Sequence, residues 1–131
     1  MKSRTVKGVA IAAALLGSAS ASAHHSFAAF FDSNNIVTVK GTVTQYEFRN
    51  PHGTITLNAQ AEGGEMQEWR VETTAPAVLA RRGWDRNSLK PGDEVTISGW
   101  MSRDGRSYLR LRQATHADGR AIGAAFTQRD N

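Results

Sequence analysis

The chain has no cysteine. That excludes disulfide stapling, thiol redox chemistry and thioether attachment of haem, so packing alone must hold the fold. There is no internal repeat, no low-complexity tract and no linker composition, which points to one compact domain. No apolar run is long enough to cross a bilayer as a helix. The longest, Val9 to Leu16, falls well short of the roughly 20 residues a span needs. A surplus of one charge is also missing once the first 23 residues are set aside. Of 16 Lys and Arg, three precede residue 24, and none of the 12 Asp and Glu do, so 13 bases face 12 acids from His24 onward. That balance gives no bulk electrostatic support to nucleic acid as a partner.

What is present begins with an address. Lys2, Arg4 and Lys7 precede the apolar run, and Ala21-Ser22-Ala23 follows it. These are the n-, h- and c-regions of a secretory signal peptide, the alternative being an N-terminal anchor too short to span. The expectation is a signal peptide over 1–23, cleavage after Ala23, a periplasmic or secreted protein starting at His24, and no membrane span after processing. The 108 residues left (131 − 23) suit a single modest core.

Alternation at period two predicts five strands. Val37, Val39, Gly41 and Val43 share one face of a long first strand. After Thr44 the phase slips, with Tyr46 and Phe48 on the opposite parity, which predicts a bulge that lets one strand serve two sheets. Arg49-Asn50-Pro51-His52-Gly53 reads as a turn. Strand two follows over Thr54–Ala59, strand three over Met66–Thr73, strand four over Asp93–Met101 and strand five over Ser107–His116. A short helix is predicted between strands three and four, with Pro76 in its first turn and Gly83 ending it. Phe27, Phe30 and Phe31 form an amphipathic spacing in a lead-in segment, 24–35, which Ser33-Asn34-Asn35 separates from a barrel at 36–120. The tail, 121–131, is weakly patterned and is expected to fray. This order of elements predicts an all-β fold, a small five-stranded OB-like Greek-key barrel.

Five motifs carry a closer resemblance: HHSF at 24–27, KGTV at 40–43, NPH at 50–52, RRGW at 81–84 and SLKPGDEVTISG at 88–99. In this order they resemble domain-of-unknown-function family 6152, small secreted bacterial proteins, over nearly all of the chain after residue 23. The resemblance implies export and an OB-like barrel, and implies no known activity.

Three groups of residues are candidate sites. Cleavage after Ala23 gives His24 a free α-amine, which can chelate a divalent metal together with its imidazole. His25 adds a further imidazole and a deprotonable amide, and His52 can close the set from a strand end. Such nitrogen-rich sets suit Cu(II), so copper is the candidate cofactor; the plain alternative is a solvated terminus. Asn50 and His52 form the second group, held at the barrel rim by Pro51 and Gly53, or simply a turn bonded to backbone. The third is a strip on strand five, with Arg106, Tyr108, Arg110 and Arg112 on one outward parity, Trp100 across the hairpin, and Tyr46 and Phe48 on the adjoining strand. Arginines with aromatics can hold a phosphate, a carboxylate or a sugar; otherwise the strip is a solvated basic edge.

Catalysis has little footing. Ser26 has no acid placed to orient a neighbouring histidine, and Glu47, Glu68 and Glu72 sit singly on polar strand faces. The expected function is a non-enzymatic, exported binding protein for a small molecule or a protein partner, as a monomer or small homo-oligomer. The alternative is a Cu(II) protein. Haem carriage through His116 is a third reading that no surrounding motif supports.

Overall fold

A computed structural model describes residues 27–130. The expected signal peptide and cleavage site, His24, His25 and Ser26 lie outside the described residues.

Five strands form where the alternation places them: β1 (Phe31–Glu47), β2 (Thr54–Ala61), β3 (Met66–Glu72), β4 (Glu94–Ser102) and β5 (Tyr108–His116), with α1 (Pro76–Arg81) between β3 and β4. They close in the order β1-β2-β3-β5-β4, β4 returning to β1. All neighbours are antiparallel except β3 and β5. This is the OB-like Greek-key barrel that the order of elements predicts.

β1 makes the closure possible by pairing on both edges. Val39 lies opposite Ala61 of β2 and Ile97 of β4, and Gly41 opposite Ala59 and Val95. The backbones approach so closely here that a Cβ on Gly41 would sit 2.0 Å from the Asn58 carbonyl oxygen, so only glycine fits. The register with β2 shifts between Val43 and Gln45, which makes Thr44 the bulge residue the phase slip predicts. Val39, Val43, Ile55, Leu57, Val71, Val95, Ile97, Leu109 and Leu111 all point inward, each no more than 1 % exposed. α1 lays Leu79 over one end, its N-cap the apolar Ala75 with Pro76 in the first turn. Trp84 and Leu89 are buried in the same cluster.

Two expectations are corrected. Ser33-Asn34-Asn35 does not break the chain before the first strand: β1 begins at Phe31 and absorbs these residues in a register shift against β4 between Phe31 and Ile36. The tail does not fray. Ile122 and Phe126 are buried in the core, Ala121 bridges to Thr115, and Arg82 Nη2 lies 2.6 Å from Asp130 Oδ1. Gly123 (φ +64°) allows the crossing, since a Cβ there would meet the Arg82 carbonyl oxygen at 2.3 Å.

A second apolar cluster lies outside the barrel wall. Residues 27–30 are helical and seat Phe27 edge-on against Trp100 at 5.3 Å, while Phe31 packs on Tyr108, also at 5.3 Å. Arg103 ties this turn down through Nε to the Ala28 carbonyl oxygen at 2.7 Å. Of the lead-in aromatics, Phe27 and Phe31 are covered and Phe30 is 63 % exposed, so the expected three-residue stripe is a two-residue contact.

Candidate functional site

Inward-facing Val71 and Leu109 set the parity of their neighbours, so Arg70 and Glu72 of β3 and Tyr108 and Arg110 of β5 face outward. The register brings them together: Arg70 lies opposite Tyr108, and Glu72 opposite Arg110. Across the other edge of β3, Glu72 pairs with Thr54 at the start of β2, directly after the Asn50–Gly53 turn. That turn, with a cis Asn50–Pro51 peptide, delivers His52 to the same place, its Nδ1 2.7 Å from Glu72 Oε1.

Glu72 is the hub. Its Oε1 also accepts from Arg110 Nη1, and its Oε2 accepts the Tyr108 hydroxyl. A carboxylate can only accept, so the His52 nitrogen facing it carries the hydrogen and Nε2 is left as the free ring nitrogen. Nε2 makes no hydrogen bond to a described residue, and the His52 side chain is 46 % exposed. Arg110 is 4 % exposed. Burial lowers its pKa, opposed by the Glu72 carboxylate and the Tyr108 side chain. The Tyr108 hydroxyl is pushed up to about 12 by burial, then by its hydrogen bond to Glu72.

His52, Arg70 and Glu72 form one wall of an open cleft of about 240 Å³, whose other lining comes from Arg49, Asn50, Pro51 and Thr54, with Tyr108 and Arg110 behind Glu72. Arg49 is drawn to Glu47 at 3.1 Å. Arg70 is exposed and makes no ion pair among the described residues; its guanidinium stands 5.9 Å from the Tyr108 ring centroid. A larger hollow of about 410 Å³ lies over the β2–β3 hairpin, lined by Thr38, Lys40 and 60–63, but no hydrogen-bonded cluster converges on it.

The structure therefore joins part of the strand-five strip to the Asn50–His52 turn. It brings together Asn50, His52, Tyr108 and Arg110, and separates the rest. Arg106 precedes β5, in the turn, where Nε bonds to Asp104 at 2.6 Å. Arg112 is half-buried beyond the cleft lining. Arg110 is not on a solvated strip, because the Phe27–Phe31 turn and the Glu72 carboxylate cover its row. Trp100 is the register partner of Arg110 but lies buried beneath Phe27, unavailable for stacking from solvent. Tyr46 and Phe48 do not adjoin the strip. They pack together at 6.4 Å near Trp84, with the Tyr46 hydroxyl donating to the Asp85 carbonyl oxygen.

Glu72 and Arg70 are what sequence reasoning missed. Glu72 reads as a single wet acid, and only the parallel β3–β5 register supplies its partners. Among the described residues no three His, Cys, Asp or Glu side chains gather as a metal set. His116, the haem candidate, ends β5 away from this cleft. No described helix is long and apolar enough to cross a membrane.

The fold and cleft define a small OB-like barrel with a charged recess at the β1–β2 turn. The chain belongs to a family of unknown function, DUF6152, whose model matches residues 12–110. No curated protein matches it. Among solved structures it is similar to TiaS, the tRNAIle2 agmatidine synthetase. The identity is 17 % to both the apo form (TM-score 0.43) and a ZRD-deleted mutant in complex with agmatine (TM-score 0.44). The alignments cover 73 % and 72 % of this chain but only 25 % and 23 % of those, so it spans about a quarter of their length.

Proposed function

We propose that the chain is an exported, non-enzymatic binding module that holds a small carboxylate or phosphate anion in the cleft between the Asn50–Gly53 turn and β3. The observation that carries this reading is Arg70: an exposed guanidinium without an ion pair among the described residues, beside the buried Glu72–Arg110 pair. A planar fork of donors suits a carboxylate or phosphate better than a point charge does. Arg49 and Asn50 supply further donors on the opposite lip. OB barrels take ligands on the β2–β3 side and at the β1–β2 loop, which is where this recess lies. Export rests on the Lys2, Arg4, Lys7, apolar-run and Ala21-Ser22-Ala23 pattern.

The test is a titration of isotope-labelled protein with citrate and with inorganic phosphate, followed by amide chemical shifts. Shifts clustered at 49–54, 70–72 and 108–110, lost in Arg70→Ala, support the reading. An unmoved cleft, or equal shifts in Arg70→Ala, overturns it. Mass spectrometry of the exported protein tests processing, a start at His24 being the expected result and a retained Met1 the refuting one.

A further inference from the structure

His52 meets the cleft with a nitrogen that accepts. Its Nδ1 faces Glu72 Oε1 at 2.7 Å. A carboxylate has no hydrogen to give, so in the neutral ring the single N–H sits on Nδ1 and the lone pair on Nε2. The carboxylate is itself held. Arg110 Nη1 bonds to the oxygen that faces His52, and the Tyr108 hydroxyl bonds to the other. The tautomer of the ring is thereby set from β3 and β5, strands that do not carry the histidine. Nε2 makes no hydrogen bond to a described residue, and the side chain stands half open to solvent.

The arginines of the same lining donate. Arg70 is an exposed guanidinium with no ion pair among the described residues. Arg49, though drawn to Glu47, keeps most of its side chain exposed. Both line the same recess as His52. A guanidinium has only donors, whereas a neutral imidazole in this tautomer shows the cleft an acceptor and no donor. A simple carboxylate is all acceptor. It would satisfy Arg70 and leave Nε2 facing another lone pair. The ligand that satisfies both carries a negative group for Arg70 and, a bond or two away, a hydroxyl that donates to Nε2. An ammonium is the poorer donor here, because Arg49 and Arg70 already stand in the lining.

We propose that the cleft selects hydroxycarboxylates, Arg70 binding the carboxylate and His52 Nε2 accepting the hydroxyl hydrogen. The inference rests on the anion-binding reading and names the ligand class within it. His52 is the specificity-determining residue, and Glu72 is a positioning residue that holds its tautomer. One net hydrogen bond in a partly open site corresponds to about 3- to 10-fold in affinity.

The probes are L-malate and succinate, dicarboxylates of one length that differ by a single hydroxyl. Each is titrated into isotope-labelled protein at about pH 8.5, above the range over which imidazoles change charge. Both should shift the amides of 49–54 and 70–72, with malate the tighter by the factor given above. His52→Ala should erase that preference while succinate keeps its native affinity, and Arg70→Ala should weaken both ligands. Nitrogen resonances of the imidazole give a readout that needs no substitution. Nε2 should be the bare nitrogen in the free protein, and its signal should move with malate and stay with succinate. If neither ligand moves the native cleft, the anion-binding reading falls and this inference with it. Equal affinity for the two ligands leaves that reading standing and overturns the hydroxyl contact. A hydrogen on Nε2 in the free protein overturns it too, as does a malate preference that persists in His52→Ala.

Discussion

Glu72 on β3 and Arg110 on β5 stand opposite each other across the parallel seam of the barrel, and their side chains form an ion pair in which the arginine is almost wholly enclosed. Removing the carboxylate leaves a buried cation short of its anionic partner. Glu72→Gln is expected to lower stability by about 2–4 kcal/mol, toward the low side for a broken buried pair because Glu72 is itself partly open. Adding Arg110→Met should recover much of that loss, since no charge is then left buried without its partner. Denaturant midpoints of the two single variants and the double variant check this, and strict additivity would contradict it.

Gly41 and Ile97 test the barrel wall in different ways. Ile97→Ala opens a cavity in the core and should cost about 2–5 kcal/mol. A cost under about 0.5 kcal/mol would place Ile97 on the surface. Gly41→Ala adds only a methyl group, yet that carbon falls 2.5 Å from the Ala59 Cα and nearer still to the Asn58 carbonyl oxygen. It should be the more damaging change, with loss of a cooperative thermal transition as the readout.

Both tyrosines of the chain are held protonated. Burial and then the Asp85 charge push Tyr46 up, and Tyr108 is pushed up to about 12. Free tyrosine ionises near 10. With the folded value above the unfolded one, the stabilisation is fully present below pH about 10 and is lost as pH rises through the folded value. Alkaline difference absorbance of the folded protein should show no tyrosine ionising near pH 10, and the same protein in urea should show both.

Asp130 anchors the tail from the acid side of the pH scale. Burial opposes its ionisation, but the Arg82 fork and the Thr127 backbone and hydroxyl donors outweigh it and hold the carboxyl below the usual carboxylate range. A depressed folded value gives stability that is present above about pH 4 and lost as pH falls through the folded value. Asp130→Asn should flatten the acid limb of a melting-temperature profile between pH 5 and pH 2, to about the extent that one depressed carboxylate steepens it. An unchanged slope would mean the pair does not couple to folding.

Period two was enough to place the barrel. The alternation of Val39, Val43, Ile55 and Leu57 survives into the structure because each strand has one buried face. The phase slip at Thr44 also survives, as a bulge. The tail was illegible because Ile122 and Phe126 follow no strand or helix period; their burial depends on Gly123 letting the chain cross Arg82. The cleft was half legible. Asn50, His52, Tyr108 and Arg110 stood out by residue type, but Glu72 has the same local pattern as Glu68, which is exposed. What separates the two acids is the β3–β5 register, a contact between positions 38 residues apart in the chain.

That register has a consequence for how the barrel breathes. β3 and β5 are in register over three positions only, Arg70 with Tyr108, Val71 with Leu109 and Glu72 with Arg110, while the other seams run over much longer stretches. The shortest seam is the one whose β3 side chains, Arg70 and Glu72, line the cleft. Amide hydrogens there should be the first in the wall to exchange with deuterium, and the staves should part at this point before any other. Under the anion-binding proposal, a molecule held between the Asn50–Gly53 turn and Arg70 would steady the β3 side of this seam. Its arrival would be felt as slower exchange along β3 and β5, far beyond the atoms it touches.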